Sequence, residues 1–138
     1  MAIEFRNANW MADERDQSRT LSFLSENKLT YVCVDEPQGF KTSVPPLLAV
    51  TAPVSLLRMH GHNAEAWVKK GIGPAERFEY LYSEAELRQW LPGIHELSGE
   101  AREVHLLFNN CHRDYAVRNA HQMIDLLAAP GAGADARR

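Results

Sequence analysis

Val54-Ser55-Leu56-Leu57-Arg58-Met59-His60-Gly61 and Val104-His105-Leu106-Leu107-Phe108-Asn109-Asn110 are short apolar runs that break off abruptly into polar groups. A segment of helical character follows each one. A parallel strand buried on both faces gives such a run, and barrels of parallel strands present their functional side chains at the strands' C-terminal ends. The pattern recurs about four times along the chain, whereas a closed barrel of this type needs eight units. The two stretches read as part of an active-site scaffold, about half of one.

Outward from these runs, Ile3 and Phe5 alternate with Glu4 and Arg6, which predicts a short strand almost at Met1. Asp13 is placed to cap a helix over 14–27 with Leu21 and Leu24 inward. Thr30 to Val34 is β-branched and aromatic, a second strand that stops at Asp35-Glu36-Pro37, where proline removes a ladder donor. Residues 37–53 contain Pro37, Gly39, Pro45, Pro46 and Pro53 and read as a loop long enough to be a lid or rim segment. Val54 to Met59 is the third strand, followed by a partly extended segment from His60 through Tyr80-Leu81-Tyr82. Ser83 and Glu86 form a capping box for a helix carrying Leu87, Trp90, Leu91, Ile94 and Leu97, and Pro92-Gly93 predicts a kink or break within it. Val104 to Phe108 is the fourth strand. Asp114 is placed to cap a last helix whose inner face is Val117, Ala120, Met123, Ile124 and Leu127. The tail 129–138 has little to bury and reads as disordered.

Strands alternating with helices imply parallel β/α units with right-handed crossovers. Pattern alone leaves open a doubly wound sheet or a piece of a (β/α) barrel, and slightly favours the former at this length. Neither a GxGxxG nor a P-loop motif is present, so nucleotide binding of those types gains no support. The 138 residues fit one domain, and the formal charge of −3 argues against a broadly basic nucleic-acid binder. Cys33 and Cys111 form no disulfide framework or metal spacing; Cys33, in mid-strand, reads as a buried free thiol. No apolar run reaches the roughly 18 residues of a membrane span, and no signal peptide is visible. The expected location is cytoplasmic.

The strand ends also carry a resemblance. Ile3 to Trp10, Val34-Asp35-Glu36-Pro37, Leu57-Arg58-Met59-His60-Gly61, Tyr80 to Leu87, and Phe108-Asn109-Asn110-Cys111-His112 with Ala116-Val117-Arg118-Asn119-Ala120 occur in that order. This resembles the C-terminal half of the domain of unknown function 72 family, the YecE-like proteins, over residues 3 to about 128. The resemblance implies the C-terminal half of a (β/α)8 TIM barrel over residues 1–128, with these strands as the fifth to eighth. It implies no settled reaction, and the missing first half points to an N-terminally truncated form. Asn7-Ala8-Asn9 stands where the family more usually has a His-Pro-Ser-like turn.

In a barrel strand, alternate residues face the interior and the helix layer. Ile3, Phe5, Leu57, Met59, Val104, Leu106 and Phe108 suit the helix layer, which turns Glu4, Arg6, Arg58, His60, His105, Leu107 and Asn109 inward. Cys33 and Asp35 share a face, with Asp35 at the rim. His60, Glu4 and Asp35 are the acid/base candidates. Arg6, Arg58, Asn109 and Asn110 are candidate ligand-binding residues, with Tyr80 and Tyr82 able to stack on a ligand. Each has a plainer reading: Glu4 with Arg6 or Arg58 as a self-satisfied buried network, His60 as a structural histidine, the asparagines as backbone caps, and the tyrosines as packing over the barrel mouth. His60 and His62 with Asp35, Glu36 and His112 raise a zinc or manganese reading, but their spacing fits no compact motif, so no metal is assigned and the cofactor stays unknown. Cys111 beside His112 lacks a third group to orient a thiol nucleophile.

Two inward arginines are costly to bury without anions, which points to a small anionic ligand, a phosphate ester or sugar derivative. Two alternatives stand beside it: a rim that binds nucleic acid through arginines and tyrosines, and a non-catalytic fragment that self-associates through open sheet edges. Whether the chain is an enzyme is left open.

Overall fold

The computed structural model describes residues 1–129, so the expected disordered tail lies, beyond Ala129, outside the described residues. β1 (Ala2–Ile3), β2 (Thr30–Asp35), β3 (Val54–Met59) and β4 (Glu103–Phe108) form one parallel sheet in sequence order. The helices are α1 (Glu14–Glu26), α2 (Ala64–Trp67), α3 (Pro74–Arg77), α4 (Glu84–Glu100) and α5 (Tyr115–Ala128). The α/β class with four parallel strands is the one expected from the sequence. No helix among the described residues is long and apolar enough to cross a membrane.

Register decides which side chains share a face. Cys33 lies opposite Leu57, Val34 opposite Arg58, Asp35 opposite Met59, and Arg58 opposite Leu107. Residues in register on neighbouring strands project the same way, and successive residues project oppositely. Cys33, Leu57 and Met59 therefore face the helices, where they are fully buried in one core with Leu24 of α1, Leu87 and Ile94 of α4, and Met123 of α5. Each such aliphatic side chain stabilises the fold by roughly 2 kcal/mol. Arg58 and Leu107 share the opposite face, where Leu107 is exposed. Cys33 is a buried free thiol, as expected.

Several local features differ from expectation. β1 is only two residues long; past Ile3 the chain leaves the ladder, and the Asn7 side chain accepts the Asn9 N–H at the start of a 3-10 turn over Ala8–Met11. Residues 36–53 are irregular, so no helix crosses between β2 and β3. Side chains hold this loop instead: Val44 N–H donates to Glu36, and the Thr51 hydroxyl donates to the Leu29 carbonyl while accepting from Tyr31 N–H. The segment after His60 contains two single-turn helices, α2 and α3.

α4 begins with the expected capping box and does not break at Pro92. Pro92 lies on the exposed side, opposite the buried stripe of Leu87, Leu91, Ile94 and Leu97. Gly93 has a packing reason, because a Cβ there would lie 2.2 Å from Leu48 Cδ1 of the loop. In α5 the buried positions are Asn119, Met123 and Leu126, while the predicted inner residues Val117 and Ile124 are exposed. Asn119 faces inward because its amide binds the chain around Tyr82, which rotates the inner face away from the purely apolar stripe. Asp114 holds the N-cap position but makes no side-chain cap.

Candidate functional site

The sheet face opposite the helices carries a connected polar cluster at the C-terminal ends of the strands. Glu4, just past β1, is its hub: Oε2 accepts from Arg58 Nη1 at 2.5 Å, and Oε1 lies 3.1 Å from Arg6 Nε and 3.4 Å from His60 Nε2. Arg6 Nη1 donates to Glu36 Oε2 at 3.2 Å. Arg58 Nη2 donates to Asn109 Oδ1 at 3.1 Å, and Asn109 Nδ2 lies 3.1 Å from His60 Nδ1. A guanidinium only donates, so Arg58 fixes Asn109 Oδ1 toward itself and leaves the amide N–H to face the imidazole. His60 Nδ1 must then accept, which places the ring proton on Nε2, toward Glu4. At 3.4 Å that pair is not aligned for a hydrogen bond, and both His60 Nε2 and Glu4 Oε1 are buried without one.

His60 is covered by rings: Phe78 stacks on it at 5.4 Å and Trp67 meets it edge-on at 5.9 Å. Burial pushes the His60 pKa below its ordinary value, against the pull of Glu4 and with the help of the Arg6 and Arg58 charges. Burial alone would raise the Glu4 carboxyl, but its contacts with His60 and Arg58 and the charges of Arg6 and Arg58 outweigh it and bring the pKa to about 2. The cluster thus holds a neutral imidazole beside an ionised carboxylate at neutral pH. It also supplies its own counter-ions, since Glu4 and Glu36 pair with the two arginines. The sequence argument that these arginines need an outside anion is weakened to that extent.

A second cluster lies behind the first, on the helix side of the sheet. Asp35 does share a face with Cys33, but that is the face of Leu57 and Met59, so it stands apart from His60. Its Oδ2 accepts from the Tyr82 hydroxyl and its Oδ1 lies against His62 Nε2, both at 2.7 Å. The Tyr82 oxygen accepts the Gly61 N–H at 2.7 Å. The contact with Asp35 raises the His62 pKa; burial opposes this, and the charges of Asp35 and Glu86 add to it. The Tyr80 hydroxyl donates to Glu86. Asn110 is fully buried and donates to the Tyr80 carbonyl and to Asn119 Oδ1.

The sequence-predicted set thus divides in two. Glu4, Arg6, Arg58, His60 and Asn109 come together; Asp35, Tyr80, Tyr82 and Asn110 form the wall behind them. The histidines and carboxylates of the metal reading divide likewise, with His60 and Glu36 in front and Asp35 and His62 behind, while His112 pairs with Glu79. Among the described residues no group of three or more His, Cys, Asp or Glu is arranged to hold a metal. Trp67, Phe78 and Asn119 stand outside the sequence-predicted site residues, and Glu36 is among them only through the metal reading. Nothing periodic marks Trp67 or Phe78.

Over residues 1–138 the chain matches the family described as "Protein of unknown function DUF72". The chain belongs to this family. It is 35% identical over 130 residues to the UPF0759 protein YunF of Bacillus subtilis (strain 168), covering 91% of this chain and 46% of that protein. A crystal structure of a DUF72 family protein from Enterococcus faecalis v583 matches with a TM-score of 0.82 at 35% identity, over 93% of this chain and 47% of that one. One from Thermotoga maritima MSB8 matches with 0.80 at 34% identity, over 93% and 46%. This DUF72 chain spans about half the length of the relatives it matches.

Within the DUF72 chain, Glu36 makes the site's pH response testable. Burial pushes its pKa up to about 7, against the Val44 N–H and Arg6 and with the Glu4 charge. A carboxyl raised in the fold contributes stability while protonated, and that contribution is lost as pH climbs from 4.5, its value outside the fold, to about 7. Glu4 has the opposite sign: its contribution is full above 4.5 and is lost as pH falls toward about 2. Glu36→Gln keeps an acceptor for Val44 and cannot ionise. Relative to the parent, it is expected to gain on the order of 2 kcal/mol as pH rises from about 5 to about 8. Urea denaturation across that range checks this, and a difference that does not change with pH contradicts it.

Proposed function

We propose that residues 1–128 form the C-terminal half of a (β/α)8 barrel, and that its strand ends bind a small anionic ligand, a phosphate ester or sugar derivative. Support for the half-barrel comes from four parallel strands in sequence order and from the match to about half of each solved relative. The observation that carries the ligand reading is the state of the two arginines. Although ion-paired, Arg6 and Arg58 keep 46% and 32% of their side chains exposed, so each offers unspent N–H donors at the rim. Arg6, Arg58 and Asn109 hold the ligand. Glu4 and His60 are the proton acceptor and donor beneath it, with His60 reached only when the Trp67–Phe78 cover lifts. Asp35 is a positioning residue: through Tyr82 it holds Gly61, and through Gly61 the preceding His60. Tyr80, Tyr82 and Asn110 serve the wall in the same way.

Sugar phosphates such as ribose 5-phosphate are expected to raise the thermal midpoint of the protein; at a hundredfold excess over Kd the gain is about 2.7 kcal/mol. Arg58→Ala should lose most of that gain. An Arg58→Ala variant stabilised as much as the parent would overturn the clamp.

The nucleic-acid alternative draws no electrostatic support from a formal charge of −3. The self-association reading has its own observation. Among the described residues β4 pairs on one side only, β1 pairs over two residues, and Phe23, Leu107, Val117 and Ile124 are exposed. Unpaired edges beside apolar surface favour association. Sedimentation velocity is expected to give dimers or larger species, and a monodisperse monomer that unfolds cooperatively rejects this. A cytoplasmic location is proposed with the reduced thiol Cys33 as its support.

A further inference from the structure

Arg6, Thr42, Trp67, Arg77 and Phe78 line a cavity of about 240 Å³ beside the Glu4–His60 cluster. Its polar lining differs in kind from that cluster, where each arginine meets a carboxylate. The Arg77 guanidinium makes no ion pair among the described residues; Nη1 donates to the carbonyls of Ala66 and Trp67, and Nη2 to that of Lys69. Those three bonds cap the end of α2 and leave Nε–H and one Nη2 hydrogen unspent, because arginine carries five. Arg6 likewise has N–H groups beyond those facing Glu4 and Glu36. Trp67 is only 7% exposed, and its indole Nε1–H is buried without a hydrogen-bond partner. That N–H has almost no accessible surface, so Trp67 borders the cavity with its ring. Arg6 stands over the Trp67 ring, its Cζ 5.6 Å from the centroid, so guanidinium and indole form one edge of the cavity.

The side chains of Arg6 and Arg77 can only donate, the Thr42 hydroxyl is able to, and among the described residues no carboxylate lines the space. We infer that this cavity is an oxyanion subsite that takes a phosphoryl or carboxylate group on Arg6, Arg77 and Thr42, against the Trp67 ring. The inference rests on the anionic-ligand reading above and adds Arg77 to Arg58 as a second anchor for the ligand. The group of the ligand that reacts then lies toward Glu4 and His60, one arginine away, since Arg6 borders both spaces. The cavity's volume suits a single charged group with a short stem, and Phe78 and Trp67 close it from the His60 side.

The test uses the 15N-labelled protein with inorganic phosphate and acetate as separate probes. The indole N–H resonance that Trp67→Phe removes, keeping a ring in place, identifies Trp67 among Trp10, Trp67 and Trp90. Saturating phosphate or acetate is expected to shift that resonance, and the probe that binds more tightly identifies a phosphoryl or a carboxylate group. Arg77→Gln, which still offers N–H donors to the α2 carbonyls, should weaken it at least tenfold. An indole resonance unmoved by both probes overturns the subsite, as does an Arg77→Gln variant that folds and binds like the parent. Should Arg77→Gln fail to fold, the indole shift decides. If the indole stays still while sugar phosphates stabilise the protein in an Arg58-dependent way, the subsite is wrong and the broader reading stands. If neither is seen, both are wrong.

Discussion

Gly61→Ala is expected to destabilise the protein by about 2–5 kcal/mol, the sum of two independent costs. Gly61 has φ +84°, a conformation that costs an L residue roughly 1–2 kcal/mol. A Cβ at that position would also lie 2.5 Å from Tyr80 Cβ and 2.9 Å from Tyr80 Cγ. Tyr80 has little room to retreat: its ring packs against His62 and Tyr82 with centroids 5.1 Å away, its hydroxyl is held by Glu86, and its carbonyl accepts from Asn110. The clash must therefore move backbone, and the adjacent residue is His60. Gly39 provides the control, because its φ is +89° yet nothing lies within 4 Å of its would-be Cβ. Gly39→Ala should cost only the conformational part, about 1–2 kcal/mol. Urea denaturation of both variants separates strain from contact. Equal losses at the two positions would mean that Tyr80 yields freely and that the turn is not braced as described.

The parts of the site legible in the sequence are those for which alternation carries an amphipathic signal. In β3 the residues alternate between fully and partly buried, so Leu57 and Met59 identify one face and Arg58 and His60 the other. β4 alternates as well, and Asn109 follows from it. β2 is different: all six of its residues are buried, so the sequence pairs Cys33 with Asp35 but does not say which face they share. Only the register opposite Leu57 and Met59 assigns Asp35 to the helix side and leaves Glu36 to the front. Trp67 and Phe78 sit in or beside single-turn helices too short for a periodic pattern, and their role emerges only from the ring contacts with His60. Charge balance was the other blind spot. Two inward arginines are visible in the sequence, but that Glu4 serves both of them depends on geometry.

Behind the cluster, the same logic makes a chain of fixed groups that braces His60. Asp35 holds the Tyr82 hydroxyl, whose oxygen takes the Gly61 N–H, and Gly61 follows His60 just past the end of β3. Arg58 approaches from the other side, fixing Asn109 and through it the His60 ring. The imidazole is thus oriented at its backbone by one network and at Nδ1 by another, while Nε2 is left unbonded. A merely structural histidine would be expected to use both nitrogens when buried.

Asn119→Ala is expected to cost about 3–4 kcal/mol, large for the loss of one uncharged side chain. Asn119 is completely buried and uses its whole hydrogen-bonding capacity. Its Oδ1 accepts from Tyr82 N–H and Asn110 Nδ2, and its Nδ2 donates to the Tyr82 carbonyl and to Gln122 Oε1. Truncation strips both partners from the Tyr82 backbone in a place water does not reach, and each stranded buried group costs about 1–3 kcal/mol. Asn119→Leu is the sharper experiment, because it restores the volume without the hydrogen bonds. If packing were the main loss it should recover most of the stability; if the polar pairing dominates, as the geometry requires, it should recover little. Asn119→Asp keeps the acceptors but loses both donated bonds and places a charge in the core, so it too should fall well below the parent. Coupling is expected with Asn110→Ala, since the two amides share a bond, and a double-mutant cycle should return about 1 kcal/mol. A leucine variant as stable as the parent would show that α5 is held to the sheet by its apolar stripe alone. Tyr82, and with it Gly61 and His60, would then owe nothing to Asn119.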